Sequence, residues 1–318
     1  MDITSLYYFA EVAKDLHFTK TANRLFISQQ TLSNHIRRVE SHYGVALLYR
    51  KPVVALTHAG EKVLEFCQAL LNDDAGLRMV LSDVASKDGG VVRVGSSLAR
   101  ANYFLPRILP VFAHKYPHVE VRYREAVSSE LESAVLNGEL DFALTISEVQ
   151  TTRFKVLKLL QEQVYLCVSD MLLEQYYKAD YRRMKSVAIH GVDVADFAQL
   201  PYVMYDNRLG HTIKGLFADR QLNPKVVMTC PSSTLALRCA TFRSTASFIT
   251  QMCLMDLYNE LPADMNIFPV YTGNAPLLQS VFLFSQHDIY QSKPNRFFLG
   301  LLSQLFEQAE QSTLARIA

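Results

Sequence analysis

The stretch 28–40 constrains this chain most, because it combines a helix start, a narrow apolar stripe and a polar, basic outer face. Ser28 is a typical N-cap residue, since its side-chain oxygen can accept from a free N–H group of the first turn. Gly44 is a typical residue just past the end of a helix. The apolar residues between them recur at helical spacing: Leu32, Ile36, Val39 and Tyr43. The pattern predicts a helix that is buried on one side and open to a partner on the other.

The outer face of this predicted helix carries side chains suited to DNA. A carboxamide can make two hydrogen bonds to adenine, and a guanidinium group can contact guanine or phosphate. Two further cations precede the β-prone segment 53–56, which we interpret as a small wing. The predicted DNA-binding residues are Ser28, Gln29, Gln30, Thr31, Ser33, Asn34, Arg37, Arg38, Arg50 and Lys51. For the helix taken alone, an ordinary solvated surface helix remains the alternative.

Two shorter helices are predicted before it. The first follows from the apolar spacing between Ile3 and Ala13, and the second begins at Thr19 as its cap and continues through Phe26. Three short helices with a polar, basic third helix are typical of a helix-turn-helix domain. Residues 1–60 carry a net charge of +3, whereas residues 61–318 carry −2. The positive excess therefore lies where phosphate would be met.

Several motifs follow one another in this region, in a fixed order. They are Phe18-Thr19-Lys20-Thr21-Ala22, Ser28-Gln29-Gln30, the run 32–40, the run 44–50 and Leu56-Thr57-His58-Ala59-Gly60. Their order, spacing and residue types closely resemble the N-terminal domain of LysR-type transcriptional regulators, over residues 1 to about 65. The family often has Pro at position 30 and a basic residue at position 34, where this chain has Gln30 and Asn34. The resemblance implies a winged helix-turn-helix that binds double-stranded DNA.

One long helix is predicted from Thr57 to about Ser86, with an apolar seam close to a heptad repeat. The seam residues predicted to mediate dimerisation are Val63, Phe66, Leu70, Leu77 and Leu81. Packing of this helix on its own domain is the alternative. Lys87-Asp88-Gly89-Gly90 is predicted to be a hinge. We therefore expect a DNA-binding domain over 1–60, a linker helix and hinge over 61–90, and a regulatory domain over 91–318.

From residue 91 the chain alternates between predicted strands and helices in a β-α-β-α-β series, which favours an α/β domain with a parallel sheet. The prediction includes a loop over 96–102, a helix over 103–116 with Pro106 near its start, a crossover strand over 164–169 and a helix over 211–221. The first half, including Gly-Glu-Leu-Asp at 138–141, resembles the effector domain of the same family. The resemblance implies two α/β lobes like those of periplasmic-binding proteins. Lobe 1 would comprise 91–163 and 268–318, and lobe 2 would comprise 164–267. Tyr176–Gly191 is predicted to be a surface insertion.

Ligands of α/β sheets bind beyond the carboxyl ends of the strands, and hydroxyl-bearing residues stand at several of the predicted strand ends. The predicted effector-binding residues are Ser96, Ser97, Leu98, Arg100, Thr145, Met204, Tyr205, Ser232, Ser233 and Thr250. Taken singly, each hydroxyl is better explained by a cap or a turn. As a set they favour a small anionic effector such as a carboxylate.

Composition and missing motifs argue against other classes of protein. The five cysteines are widely spaced, so we expect free thiols, and no metal site or other cofactor is predicted. We find no motif of the common catalytic types, so the chain is not expected to be an enzyme. The sequence starts without a charged leader and apolar run, and no stretch predicts a membrane span, so we expect a cytoplasmic protein.

These observations together predict a bacterial LysR-type transcription regulator controlled by a small molecule. Pairing through the linker helix would give a homodimer on a spaced, imperfect palindrome, and the resemblance further implies a homotetramer. A thiol-based redox regulator is the alternative, with Cys230 and Cys239 as its reactive pair.

Overall fold

The computed structural model describes residues 2–84, 89–146, 152–287, 289–312 and 314–316. Of the predicted hinge, Lys87 and Asp88 lie outside these ranges, as does Ser86, whereas Gly89 and Gly90 are the first residues of a strand. The helices are α1 Ile3–Asp15, α2 Phe18–Arg24, α3 Gln29–Tyr43, α4 His58–Val84, α5 Leu98–Lys115, α6 Ser128–Leu136, α7 Asp170–Tyr177, α8 Tyr181–Ala188, α9 Arg208–Asp219, α10 Ser233–Thr241, α11 Gln251–Leu257 and α12 Lys293–Glu310. The strands are β1 Leu48–Tyr49, β2 Ala55–Leu56, β3 Gly89–Ser96, β4 His118–Glu125, β5 Phe142–Thr145, β6 Phe154–Ser169, β7 Tyr202–Tyr205, β8 Val226–Cys230, β9 Ser247–Thr250, β10 Met265–Pro269, β11 Tyr271–Thr272, β12 Ala275–Pro276 and β13 Leu278–Gln286. Among the described helices, none combines the length and apolar character that a membrane crossing requires.

The N-terminal unit packs α1, α2 and α3 around one small core, with β1 and β2 as a two-stranded antiparallel wing. Leu32, Ile36 and Val39 of the predicted apolar stripe of α3 are buried, whereas Tyr43 in the last turn is 37% exposed. The side chain of Ser28 accepts a hydrogen bond from the Thr31 N–H at 3.0 Å. Gly44 ends the helix at φ 71°, in the left-handed region. The predicted start of α2 is wrong. His17 is the N-cap instead of Thr19, because its Nδ1 accepts from the Lys20 N–H.

The larger unit contains a seven-stranded mixed sheet. Six strands run in the order β10-β6-β13-β5-β3-β4, and β9 pairs with β6 beside this series. The three strands predicted from the first β-α-β-α-β series are parallel, with β3 between β4 and β5. Their carboxyl ends therefore meet at one edge of the sheet, where the sequence predicted a ligand.

Strand β6 connects the two lobes and is much longer than the segment 164–169 predicted for it. Its first half pairs with β13 in lobe 1, and its second half pairs with β9 and β10 in lobe 2. Lobe 2 is completed by the parallel pair β7 and β8, which joins β9 through the bridge between Tyr202 and Ala246. One continuous strand thus runs through both lobes and crosses the region between them.

Two segments of this unit differ from the predicted secondary structure. The loop predicted for 96–102 is largely helical, because α5 begins at Leu98, and Pro106 lies inside that helix. The segment 176–191 contains the end of α7, a 3-10 turn and α8, and it packs on the lobe 2 core through Tyr177, Met184 and Ala188. Lys185 anchors α8, since its ammonium group lies 2.5 Å from the Asp170 carboxylate.

Candidate DNA-binding face and interlobe cavity

The outer face of α3 is open to solvent along its length. Nine of the ten residues predicted to bind DNA are exposed, and Ser33 is half-buried. On the opposite face Leu32, Ile36 and Val39 are fully buried, so along most of its length the helix presents only the polar side to a partner. Gln29, Gln30 and Asn34 occupy its first half, and Arg37 and Arg38 follow about one turn later. The structure therefore brings the predicted amides and cations onto one surface.

Arg50 differs from the other predicted cations because it is tied to α3. Its guanidinium donates to Glu40 Oε2 at 2.6 Å, and Glu40 Oε1 accepts from the Leu47 N–H at 3.0 Å. These two contacts join the last turn of α3 to the residue before β1 and to the loop between β1 and β2. The Glu40 carboxylate thus partly neutralises the charge of Arg50 within the protein.

The remaining polar contacts on this face are long and exposed. Arg37 Nη1 donates to Asn34 Oδ1 at 3.4 Å, and Thr19 donates to Gln29 at 3.2 Å. Arg38 lies 4.0 Å from Asp2. Exposed contacts of this kind contribute little stability, so these side chains can exchange them for contacts to DNA at small cost.

The predicted dimerisation seam on α4 divides into two groups. Val63 and Leu70 are half-buried and pack against the N-terminal core. Phe66, Leu77 and Leu81 are between 49% and 56% exposed. Within one chain, therefore, part of the seam holds the linker helix to its own domain and part remains an uncovered apolar face.

The predicted residues of lobe 1 meet at the ends of β3 and β5. Ser96 and Thr145 are buried, and the hydroxyl of Thr145 lies 2.7 Å from that of Ser128, the first residue of α6. Ser97 precedes α5 at the N-cap position and Leu98 is exposed. Ser128 was missed by the sequence analysis, although it follows β4, the neighbouring parallel strand, by the same logic.

Arg100 is engaged within the protein. Its Nη2 donates to Glu162 Oε1 at 2.9 Å, and its Nη1 donates to the hydroxyl of Ser97 at 3.2 Å. The Glu162 side chain is fully buried on β6, and its second oxygen accepts from the Met252 N–H of α11. The charge predicted for the effector is therefore paired with a buried carboxylate where both lobes meet.

The predicted effector-binding residues of lobe 2 lie in three different elements. Met204 and Tyr205 are buried and belong to the lobe 2 core. Ser232 is the N-cap of α10, where its hydroxyl accepts from the Leu235 N–H, and Ser233 is the first residue of that helix. Thr250 occupies the N-cap position of α11 without a side-chain capping bond. The predicted effector-binding residues of lobe 2 therefore lie in the core or at the starts of helices.

A cavity of about 340 Å³ lies between elements of both lobes. Its lining residues are Ile146, Val164, Arg208, Leu209, Thr212, Leu277, Leu278, Gln279, Ser280 and Phe282. None of the predicted effector residues is among them, although Ile146 directly follows Thr145. Arg208 and Thr212 were not among the predicted effector residues. Helix α9 begins at Arg208, three residues before the predicted start, because Asn207 caps it by accepting from the Gly210 N–H.

All five cysteines are free thiols. Burial raises the pKa of Cys67 to about 12 and that of Cys253 to about 11. Cys230 is buried and its thiol donates to the carbonyl oxygen of Ser232, whereas Cys239 is half-buried. High thiol pKa values keep Cys67 and Cys253 protonated and therefore poorly nucleophilic at neutral pH.

Comparison with known families now identifies the class of protein. Residues 3–61 match the family described as bacterial regulatory helix-turn-helix protein, lysR family, and residues 85–304 match the LysR substrate binding domain. The second match covers more than half of the sequence, and the chain belongs to the LysR family of DNA-binding transcription regulators.

Several relatives are similar over different shares of their length. The Hca operon transcriptional activator HcaR of Escherichia coli (strain K12) is 30% identical over 230 residues, which cover 71% of this chain and 74% of HcaR. The regulator AlsR of Bacillus subtilis (strain 168) is 34% identical over 158 residues, 49% of this chain and 52% of AlsR. The regulator CysB of Haemophilus influenzae is 30% identical over 46% of each chain, so the alignment spans about half of these last two relatives.

Solved structures share the fold at lower sequence identity. A full-length OxyR variant from Pseudomonas aeruginosa superimposes with a TM-score of 0.67 at 18% identity, covering 99% of this chain and 100% of that one. Full-length CbnR complexed with its target DNA gives a TM-score of 0.55 at 18% identity, covering 97% and 100%. These similarities support the predicted fold class, a winged helix-turn-helix, a linker helix and a two-lobed α/β domain.

Proposed function

We propose that this regulator reads its operator through the outer face of α3, pairs along α4, and responds to a small anionic effector held between its lobes. The observation that carries the proposal is the arrangement of α3. Leu32, Ile36 and Val39 bury its apolar face, and its opposite face presents exposed amides followed by exposed cations. That order suits a helix whose first half faces base edges while its second half meets phosphate.

The proposed DNA contacts of this unit fall into two groups, those to base edges and those to phosphates. Gln29, Gln30 and Asn34 would donate to and accept from base edges, and the carboxamide of Asn34 suits adenine. Arg37, Arg38 and Lys51 would contact phosphates, because they are exposed and have no short contact to a carboxylate among the described residues. Arg50 would fix the orientation of the wing relative to α3 through its contact with Glu40. It would contribute less than the other cations to the phosphate contacts.

Dimerisation would use the uncovered part of the α4 seam. Phe66, Leu77 and Leu81 expose apolar surface that a second copy of α4 would bury. Two paired α4 helices would carry two α3 helices, so the operator should be a spaced, imperfect palindrome. A homotetramer, as the resemblance to the family implies, would join two such dimers.

The interlobe cavity is the proposed effector site. Ile146, Leu277 and Phe282 offer apolar surface, while Arg208, Thr212 and Gln279 bring a positive charge and hydrogen-bonding groups. A small carboxylate with an apolar body would satisfy both kinds of surface. Since the lining comes from both lobes, such a ligand would bias their relative position.

The test uses a duplex that the full-length chain enriches from random sequences. Fluorescence anisotropy would measure its dissociation constant at several salt concentrations. Three phosphate-contacting cations in each protomer of a dimer predict a slope of about −5 in log K against log salt. Failure to enrich any duplex, or affinity independent of salt, would contradict the proposed interface.

A thiol response through Cys230 and Cys239 is the second candidate. Two hydrogen peroxide-inducible genes activators are 29% identical to this chain over 169 residues, which gives the alternative some support. It predicts that hydrogen peroxide changes operator affinity and that Cys230→Ser abolishes the change. An unchanged peroxide response in Cys230→Ser would remove this candidate.

A further inference from the structure

The linker helix touches lobe 1 of its own chain through a buried amide. Asn72 lies in the middle of α4 and is only 5% exposed. Its Nδ2 donates to the carbonyl oxygen of Leu136, the last residue of α6, at 2.9 Å. The same nitrogen donates to Gln286 Oε1, at the end of β13, at 3.1 Å. A buried amide with two partners on another unit marks a specific docking contact, because a buried donor without partners would be costly.

The backbone opposite Asn72 is shaped for this approach. Gly138 has φ 69°, and a Cβ built on it would lie 2.3 Å from Asn72 Oδ1, which is closer than atoms can pack. Only glycine allows both the left-handed conformation and the close approach. The Asn72 side chain therefore fits against the turn that follows α6.

A second contact joins the same turn to the DNA-binding domain. Lys14 at the end of α1 lies 3.2 Å from Glu139 Oε1, and Arg124 of β4 lies 2.7 Å from Glu139 Oε2. Burial raises the pKa of Glu139, but hydrogen bonds from Arg124 and Lys14 lower it further than burial raises it. Glu139 thus stays ionised between two cations, one from each unit.

The other end of α6 lies at the predicted strand-end site. Ser128 begins the helix, and its hydroxyl lies 2.7 Å from that of Thr145 at the end of β5. Thr145 is followed by Ile146, which lines the interlobe cavity. The nine residues of α6 span about 13 Å, so one short rigid element connects the cavity region with the docking contact.

We propose that α6 transmits the regulatory signal within one chain, from the strand ends beside the cavity to Asn72 and Lys14 on the DNA-binding side. A displacement of Ser128 from Thr145 would move α6 along or about its axis and shift the Leu136 carbonyl against Asn72. The proposal rests on the proposed effector site for the origin of the signal. The docking contact itself is independent of any ligand.

Coupling between two sites is reciprocal, so the proposal can be tested from the DNA side without knowing the effector. The probe is a duplex enriched from random sequences by the full-length protein. Hydrogen–deuterium exchange of peptides covering 128–145 is measured with and without this duplex. In the natural chain, DNA should change exchange in these peptides by about fivefold or more, the lower end of typical coupling between linked sites.

Asn72→Ala should reduce that change severalfold, with the contact between Lys14 and Glu139 left in place, and should leave a folded protein that still binds the duplex. Asp73→Ala is the matched control, because Asp73 is the next residue on α4, is exposed and is also replaced by a good helix former. It should keep the full change. Unaltered exchange in the natural chain on DNA binding, or a full change in Asn72→Ala, would each overturn the proposal. A chain that binds no duplex would instead contradict the proposed DNA interface.

A double-mutant cycle tests the docking contact separately. Gly138→Ala should lower the thermal midpoint more in the natural chain than in Asn72→Ala, because the second background removes the oxygen that the new methyl group meets. The left-handed backbone adds the same strain in both backgrounds. Equal losses would show that Asn72 does not lie against Gly138 in solution, and this would overturn the proposal.

Discussion

At the scale of single residues, the buried pair of Arg100 and Glu162 decides whether Arg100 serves the effector or the fold. Glu162 is fully buried and depends on Arg100 for compensation of its charge. Removing one partner of a buried ion pair typically costs about 3–5 kcal/mol. We therefore expect Arg100→Ala to lower the free energy of unfolding by about this amount in urea titrations. Arg100→Ala combined with Glu162→Gln should recover most of the loss, and a cost below about 1 kcal/mol for the single variant would contradict the structural role.

The different roles proposed for Arg37 and Asn34 on α3 can be separated by substitution. Arg37→Ala should weaken binding to every duplex and make the salt slope less negative by about 1, because one cation no longer displaces counterions from a phosphate. Asn34→Ala should instead relax selectivity at one base pair, at a cost of about 1–3 kcal/mol for the preferred base. Binding to the enriched duplex and to single-base variants would measure both effects. If Arg37→Ala abolished selectivity and Asn34→Ala preserved it, the assignment would be reversed.

Asp141 gives a pH-dependent prediction. Burial raises the pKa of its carboxyl above the ordinary value, although the Arg93 N–H donates to it at 2.6 Å. A raised pKa means that the folded chain holds this proton more tightly than the unfolded chain. Its stabilising contribution is present below the unfolded pKa and is lost as the pH rises through the folded pKa. Asp141→Asn keeps the acceptor for Arg93, so its stability relative to the natural chain should increase between pH 4 and pH 7 in thermal unfolding. A difference independent of pH would contradict the raised pKa.

At the scale of elements, local signals predicted the ends of α3 and the start of α4, where the cap residues were recognised, but missed the caps His17 of α2 and Asn207 of α9. Ser28 and Gly44 correctly predicted both ends of α3. Thr57, the residue before α4, caps that helix by accepting from the Gly60 N–H. The start of α5 was predicted wrongly, because Pro106 was placed near the first turn. Its first residues are helical where Ala101 and Phe104 pack into the core of lobe 1. Such tertiary packing overrides local preference and cannot be predicted from the segment alone.

The exposed leucines of α4 allow a test of the proposed dimer seam. Leu77→Asp combined with Leu81→Asp would place two carboxylates in the proposed dimer seam, where each unpaired buried charge costs several kcal/mol. Sedimentation should show a monomer, and operator affinity should fall sharply because each half-site would be held alone. Leu70 is a poorer choice, since it packs on the N-terminal core of its own chain. Arg78→Ala, on the same helix and exposed, is the control. A Leu77→Asp, Leu81→Asp protein that sediments as a dimer would show that dimerisation uses another surface.

At the scale of the whole molecule, the two-lobed plan could be predicted and the cavity could not. Alternating strands and helices, together with the resemblance, defined both lobes. The position of the cavity depends on how α9 and the start of β13 approach each other from distant parts of the chain. Hydroxyls at strand ends were a reasonable guide to the edge of the sheet. They could not show that Tyr205 is buried in a core or that Arg100 is paired with Glu162.

The final prediction separates the cavity from the strand ends as the effector site. A metabolite library would be screened against the full-length chain for compounds that raise the thermal midpoint, since a ligand of the folded state stabilises it. For an anionic hit, Arg208→Ala should weaken binding about ten- to a hundredfold, because a hydrogen bond to a charged group contributes about 1.5–3 kcal/mol. Arg182→Ala, an exposed cation on α8, should leave the affinity unchanged. Operator binding without the compound should be the same in both variants, since neither residue lies in the DNA-binding unit. If Arg208→Ala binds the hit normally while Ser97→Ala or Thr145→Val does not, the effector site lies at the strand ends of lobe 1 and the cavity assignment is wrong.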